Sequence, residues 1–302
     1  MVHTATGKVA DDFYVTGTPE VHGYLLDGDQ PVIFDAGFAA FGAAYRRDID
    51  RILGHRRPHT LLLTHVHFDH CGAARYLQRA YPGMQVAASA RAADILRRPG
   101  ALELMDRLNR QAGELARQWH PDLPEYPVFE PFAVDRVLAD GEVIELAGGL
   151  TIEVIATPGH TWDFLSYYIP QRRILVASEA VGCPDFTSDH IVTEFLVDYQ
   201  AYVDSMARLA RLEVEVLCPG HGMVMTGRHA ADFIARSQVA AGEFKDRIAV
   251  LLAEEGFDLE RTVARYKAEE WDRQPYPKQP EPAYLLNLTA RVRHLAELLP
   301  KA

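Results

Sequence analysis

Cysteine is scarce in this chain, with three in 302 residues: Cys71, Cys183 and Cys218. They form no CxxC pair, so a thiolate metal site is not expected, and Cys71 and Cys218 should pack as small buried side chains. Positive charge is also short. With 31 Lys and Arg against 42 Asp and Glu, the formal net charge is −11, which argues against a polyanionic partner and so against nucleic acid, whose binders hold phosphates through basic groups. The best basic stretch, Arg46-Arg47 through Arg56-Arg57, reads as a solvated helix face. No apolar run approaches the length needed to cross a bilayer. Residues 1–7 show no charged segment followed by an apolar core, so no secretory signal is expected and the reading is cytoplasmic, with no membrane partner. Internal repeats and low-complexity tracts are missing too. What remains, 48% hydrophobic and 24% charged, is enough to bury one large core.

Against this background one run stands out: His65-Val66-His67-Phe68-Asp69-His70. Imidazole and carboxylate are ligands for zinc and similar first-row metals, and four such side chains in six residues need only a suitable backbone to chelate. Placement supplies it. Thr60-Leu61-Leu62-Leu63-Thr64 reads as a buried strand, and the chain from Gly72 onward reads as helix. His65 and His67, two apart in extended chain, project to one side, while Asp69 and His70 open the helix and point back. Strand ends of this kind are where open α/β sheets collect ligands. Two more histidines have similar settings: the strand Ile152-Glu153-Val154-Ile155-Ala156 leads to Pro158-Gly159-His160-Thr161, and Val214-Glu215-Val216-Leu217-Cys218 leads to Pro219-Gly220-His221-Gly222. Proline and glycine fix both turns. Between them Arg172-Arg173-Ile174-Leu175-Val176-Ala177 reads as a strand ending at Ser178-Glu179.

This set resembles the metallo-β-lactamase superfamily: the HxHxDH run, the Pro-Gly-His-Thr turn, an acid at a later strand end, and the Pro-Gly-His-Gly turn. Pro31-Val32-Ile33-Phe34-Asp35-Ala36-Gly37 resembles that family's early strand ending in Asp-x-Gly, and the resemblance covers residues 10–230. It implies an α/β fold, a four-layer αββα sandwich with metals at one edge of two packed sheets. It also implies His65, His67 and His160 on one metal, Asp69, His70 and His221 on the other, and Glu179 as bridge. Here the chain departs from the family, which has aspartate in a Gly-Asp pair where this sequence has Ser178-Glu179. One methylene moves a carboxylate by about 1.5 Å, against metal–oxygen distances of about 2.0–2.2 Å. The expectation is that the local backbone compensates; Asp163 and Asp185 are the nearest substitute acids.

The chemistry implied is hydrolysis. Two divalent metals about 3.5–4 Å apart lower the pKa of a shared water toward about 7, making hydroxide the nucleophile. Asp69 would orient it and take its proton. Zinc is the first expectation, with iron and manganese as alternatives.

The rest of the chain bears on substrate. Residues 91–118 are helical in pattern, with Leu104, Leu108 and Leu115 on one side. Residues 200–211, 228–253, 257–271 and a last stretch to Leu299 also read as helices. The predicted organisation is a domain over 1–227, with a helical insertion at 91–131, and a C-terminal helical extension over 228–302. These two segments could form a lid lined by Trp119, Tyr126, Phe129, Trp271, Tyr276 and Tyr284. His190, Phe195 and Tyr199, in the loop after Glu179, are candidate substrate contacts, with His22 a further one. Thr64 to Gly72, Arg107-Leu108-Asn109-Arg110-Gln111, Ala139-Asp140-Gly141-Glu142 and the His221 turn resemble one subgroup, the PqsE-type quinolone-signal response proteins, which act as 2-aminobenzoylacetyl-CoA thioesterases. That implies a small-molecule acyl substrate, a thioester first. The alternatives are a lactone or other ester, or a regulatory protein acting through a partner surface. The C-terminal helices could support a homodimer.

Overall fold

Strand alternation explains the architecture of this computed structural model, which describes residues 2–3, 6–185, 190–275 and 278–299. Successive side chains of a strand face opposite ways. Tyr24 and Leu26, Val32 and Phe34, Leu62 and Ala87 point to one face of a first sheet and meet Ile152, Val154, Leu165, Tyr167, Ile174 and Val176 from a second. Their neighbours Leu25, Ile33, Leu61, Val86 and Ala88 point the other way, beneath helices. On the second sheet Ile155, Tyr168, Leu175 and Leu217 turn outward beneath a different set of helices. Three apolar layers therefore separate four layers of structure, the αββα sandwich.

The first sheet runs, in spatial order, Gly7–Ala10, Phe13–Gly17, His22–Leu26, Val32–Phe34, Thr60–Leu62, Gln85–Ser89 and Arg136–Leu138. From Val32–Phe34 onward its strands are parallel. The second runs Val2–His3, Val224–Thr226, Val216–Cys218, Ile174–Val176, Leu165–Ile169, Thr151–Ala156 and Val143–Glu145, with the Ile174–Val176 and Val216–Cys218 pair parallel. Those parallel strands all end toward one edge, where Asp35, the residues from His65 to His70, Glu179 and His221 follow them.

Nine helices are described: α1 Gly42–Leu53, α2 Phe68–Cys71, α3 Ala74–Ala80, α4 Ala90–Ile95, α5 Pro99–Trp119, α6 Tyr199–Leu209, α7 Arg228–Glu254, α8 Leu259–Glu269 and α9 Glu281–Leu298. Helices α1 to α5 cover the first sheet and α6 to α9 the second. The single helix expected over 91–118 is two, because Pro99 disfavours helical backbone at the residue before it; Arg98 is extended, with ψ 119°, and Pro99 opens α5. The buried stripe of α5 also differs from the expected leucine face. It is Met105, Asn109, Ala112, Gly113 and Ala116, while Leu104 is 43% exposed. Small residues let α5 lie close to the turn Ala39–Phe41. Asn109 fastens it there, accepting from the Ala39 N–H at 2.8 Å and donating to the Met105 carbonyl at 3.0 Å. The basic stretch lies on and after α1 and is ion-paired, Arg46 with Asp50, Arg51 with Asp48 and Arg56 with Asp27. No described helix is long and apolar enough to cross a membrane.

Candidate metal centre

At the shared edge the strand ends bring seven side chains together. Ligand atoms of His65, His67 and His160 lie within 4.8 Å of one another, as do those of Asp69, His70 and His221, and a third group, His65, His70 and Glu179, lies between them. The partition is the one that the superfamily resemblance implies.

The glutamate reaches this position through two local features. Ser178 adopts a left-handed backbone, φ 47°, as the chain turns into the short 3₁₀ segment Ser178–Val181. A non-glycine residue there is strained, a state that clusters at functional sites. Opposite, Gly220 leaves the space into which the carboxylate passes: a Cβ at Gly220 would stand 2.2 Å from Glu179 Oε1. Glu179 Oε1 then lies 2.7 Å from His70 Nε2 and 3.1 Å from His221 Nε2, and Oε2 accepts from the Ser178 hydroxyl at 2.7 Å. Asp163 and Asp185, the substitute acids, stand in none of the three groups. Asp163 instead accepts the Val66 N–H at 2.9 Å, pinning the residue between His65 and His67.

Each imidazole other than His67 is oriented through its remote nitrogen. His70 Nδ1 lies 3.1 Å from Asp35 Oδ2, and His65 Nδ1 lies 3.0 Å from Thr64 Oγ1, whose hydroxyl donates to the same Asp35 oxygen at 2.8 Å. His221 Nδ1 donates to the Glu20 carbonyl at 2.9 Å, and His160 Nδ1 to the Glu194 carbonyl. Such partners set the tautomer and ring direction at metal sites. Asp35 was visible in the sequence only as part of the Asp-x-Gly strand end. That it anchors two histidines, from a left-handed φ of 56°, depends on a contact between separate strands.

The donor atoms left over point inward. His65 Nε2 is buried with no hydrogen-bond partner, His70 Nε2 and His221 Nε2 both face Glu179 Oε1, and His160 Nε2 and His67 Nδ1 converge to 3.1 Å. Buried polar atoms without partners are costly. Here their chemistry, imidazole nitrogens with carboxylate oxygens, fits divalent first-row metals. Electrostatics agrees. Burial, then His70 and His67, push His65 well below the usual imidazole range, and burial with His67 takes His160 down to about 3, so both are neutral donors. Burial opposes charge at the two acids, but His70 and His221 outweigh it and hold Asp69 and Glu179 below the usual carboxylate range. The same acids overcome burial at His70, raised well above its ordinary value, and at His221, raised to about 10. The pocket thus favours cationic charge beside its two carboxylates.

The other candidates stand in none of the three groups. Phe195 is wholly buried among Tyr199, Tyr202, Phe244 and His294, so it belongs to the helical core. Tyr199 is half-buried with Lys245 over its ring at 5.4 Å. His190 pairs with Glu270 at 2.8 Å beside an open cavity of about 540 Å³. His22 is buried next to Tyr24 with both ring nitrogens unpartnered, and burial together with the nearby His221 lowers its pKa to about 4. The aromatic lid set divides between two layers: Phe129 and Tyr126 pack under the first helical layer, Trp271 and Tyr284 in the second, so they do not line one pocket. Trp119 is 42% exposed, and Tyr276 lies outside the described residues.

Residues 17–221 match the metallo-beta-lactamase superfamily, so this chain belongs to that superfamily of metallo-hydrolases. Among curated relatives it is 25% identical over 244 residues to the probable metallo-hydrolase YflN of Bacillus subtilis (strain 168), covering 76% of this chain and 86% of that protein. It is 26% identical over 169 residues to the atrochrysone carboxyl ACP thioesterase of Aspergillus fumigatus, covering 55% of this chain and 39% of the relative. A third relative, the acyl-coenzyme A thioesterase MBLAC2 of Gallus gallus, is 26% identical over 191 residues, 61% of this chain and 65% of its own. In the solved structure of a beta-lactamase domain protein from Burkholderia ambifaria the same fold recurs, with TM-score 0.65 and 19% identity over 98% of this chain and 90% of that one.

Proposed function

We propose that this protein is a dinuclear metal-dependent hydrolase of activated acyl compounds, thioesters first. The observation that carries the proposal is the pair of ligand groups, His65/His67/His160 and Asp69/His70/His221, with the buried Glu179 carboxylate between them. His65, His67 and His160 would hold one ion, Asp69, His70 and His221 the other, with Glu179 shared; zinc suits the donors, and iron or manganese would also. When bound, such a metal pair supplies Lewis acidity at the acyl oxygen and a water of lowered pKa. The chain's own contribution is orientation and proton handling. Asp35, Thr64, Glu20 and Glu194 fix the imidazoles, so no reorganisation is needed as charge develops. Asp69 is the acid that solvent reaches, its side chain 18% exposed against 3% for Glu179. It is therefore the group to align the attacking water and accept its proton.

Thioesters are favoured over lactones and other esters because two relatives bear thioesterase names, on different acyl carriers. The likeness to the PqsE-type subgroup points to the same bond and leaves the acyl group open. The test is an assay of purified, metal-supplemented protein against thioester, lactone and phosphodiester panels, beside a His65→Ala/His67→Ala variant. Thioester turnover abolished in the variant is expected, because the variant removes two donors of the group that would hold the metal activating the water. A metal-loaded wild type inactive on every panel would overturn the proposal and favour a regulatory role through a partner surface.

A further inference from the structure

Residues 190–199 form a strap between the metal centre and α9. Toward the centre, the N–H groups of Leu196, Val197 and Asp198 converge on the Gly159 carbonyl at 3.1, 3.1 and 3.3 Å, and the Glu194 carbonyl accepts from His160 Nδ1. The His160 turn cannot shift away easily. Gly159 has φ 131°, and a Cβ there would lie 2.4 Å from the Tyr202 backbone. Toward α9, Arg291 Nη1 donates to the Thr193 carbonyl at 2.5 Å and to Thr193 Oγ1 at 3.4 Å, Asn287 Nδ2 donates to Glu194 Oε2 at 3.3 Å, and the Tyr199 N–H donates to His294 Nε2 at 2.9 Å. Three residues of one helical face, spaced three and four apart, thus grip the strap that orients a candidate ligand.

Arg291 is the unusual member. It is wholly buried, its guanidinium 4.9 Å above the Phe244 ring, with Nε donating to the Asn287 carbonyl at 3.4 Å and Nη2 lacking any hydrogen-bond partner. A buried guanidinium with an unsatisfied donor costs more than an aliphatic side chain in the same place. Its charge offsets part of that cost through the nearby carboxylates of Glu194 and Glu270, and its other arm holds Thr193. We infer that Arg291 is a positioning residue for His160: by fixing Thr193 it fixes the next carbonyl, that of Glu194, and through it the direction of the His160 ring. The C-terminal helices are then part of the metal centre. This rests on the reading of His160 as a metal ligand.

The experiment is a zinc titration of the full chain, labelled with ¹⁵N-histidine, for wild type, Arg291→Met and Arg291→Lys. Ring nitrogen shifts report each group separately, and the solvent exchange of the His160 Nδ1 proton reports its hydrogen bond. Loss of a partner that orients a ligand weakens metal binding by about 10–100-fold. Arg291→Met should lose about tenfold at the His65/His67/His160 group, clearly more than at the Asp69/His70/His221 group, with faster Nδ1 proton exchange. Lysine, one ammonium in place of a fork, should fall between the two. Should Arg291→Met fail to fold, Arg291→Lys decides by the same readouts. Variants that bind zinc as the wild type does, or that weaken both groups equally with unchanged Nδ1 exchange, would overturn the inference. A wild type that takes no zinc at His160 overturns the metal reading itself, a result separate from these.

Discussion

Glu179 is the residue on which the proposed second metal depends. The sequence raises the question, since a glutamate stands where the family pattern has aspartate, and in the structure a left-handed Ser178 and the missing side chain of Gly220 let its carboxylate lie beside His65 and His70. Gly220→Ala is therefore a sharp probe. Its methyl group would meet Glu179 Oε1 at 2.2 Å and Ser178 Oγ at 2.8 Å, and the carboxylate cannot move without leaving His70 or His221. Overpacking of this kind costs about 1–3 kcal/mol. The expected outcome in a calorimetric zinc titration is a protein that still folds and fills the His65/His67/His160 group, with affinity for the second metal down by about tenfold or more. Two metals bound as tightly as in the wild type would mean that Glu179 is not a shared ligand.

At the scale of elements, the loop after Glu179 is tied to the C-terminal helices by a pH-sensitive contact. A hydrogen bond to Glu270, opposed by burial, raises the pKa of His190, and Asp185 adds to the rise while Arg291 opposes it. Burial alone would raise Glu270, but His190, Arg291 and Tyr284 outweigh it and hold Glu270 below the usual carboxylate range. Because His190 is raised, its stabilisation is complete below the ordinary imidazole pKa of about 6.5 and is lost as pH rises through the folded value. Because Glu270 is depressed, its share is complete above the ordinary carboxylate pKa of about 4.3 and is lost as pH falls through its own folded value. The destabilisation caused by His190→Gln, read as a shift in urea midpoint, should thus be largest near pH 5.5, between those limits, and should shrink by pH 9. Equal shifts at both would refute the pairing. Helix identities were legible from periodicity, yet the face that α5 buries was not. Leucines mark an apolar stripe, whereas Ala112, Gly113 and Ala116 were chosen by how close the turn Ala39–Phe41 must approach. Arg291 was illegible for a related reason: an arginine in a helix reads as solvent-facing until a carbonyl from another segment is seen to meet it.

For the molecule as a whole, the fold exists to bring strand ends to one edge. Most of the centre could be read in sequence because its histidines follow strands directly or sit in Pro-Gly turns, so local pattern fixes their placement. Asp35, Glu20, Asp163 and Glu194 could not, because their contacts join segments far apart in the chain. The central claim is that these segments build one two-metal centre. Anomalous diffraction from zinc-loaded crystals tests it most directly. The account predicts two zinc peaks about 3.5–4 Å apart, one against His65, His67 and His160, the other against Asp69, His70 and His221, with Glu179 touching both. A single peak, or zinc held by residues outside these groups, would contradict it.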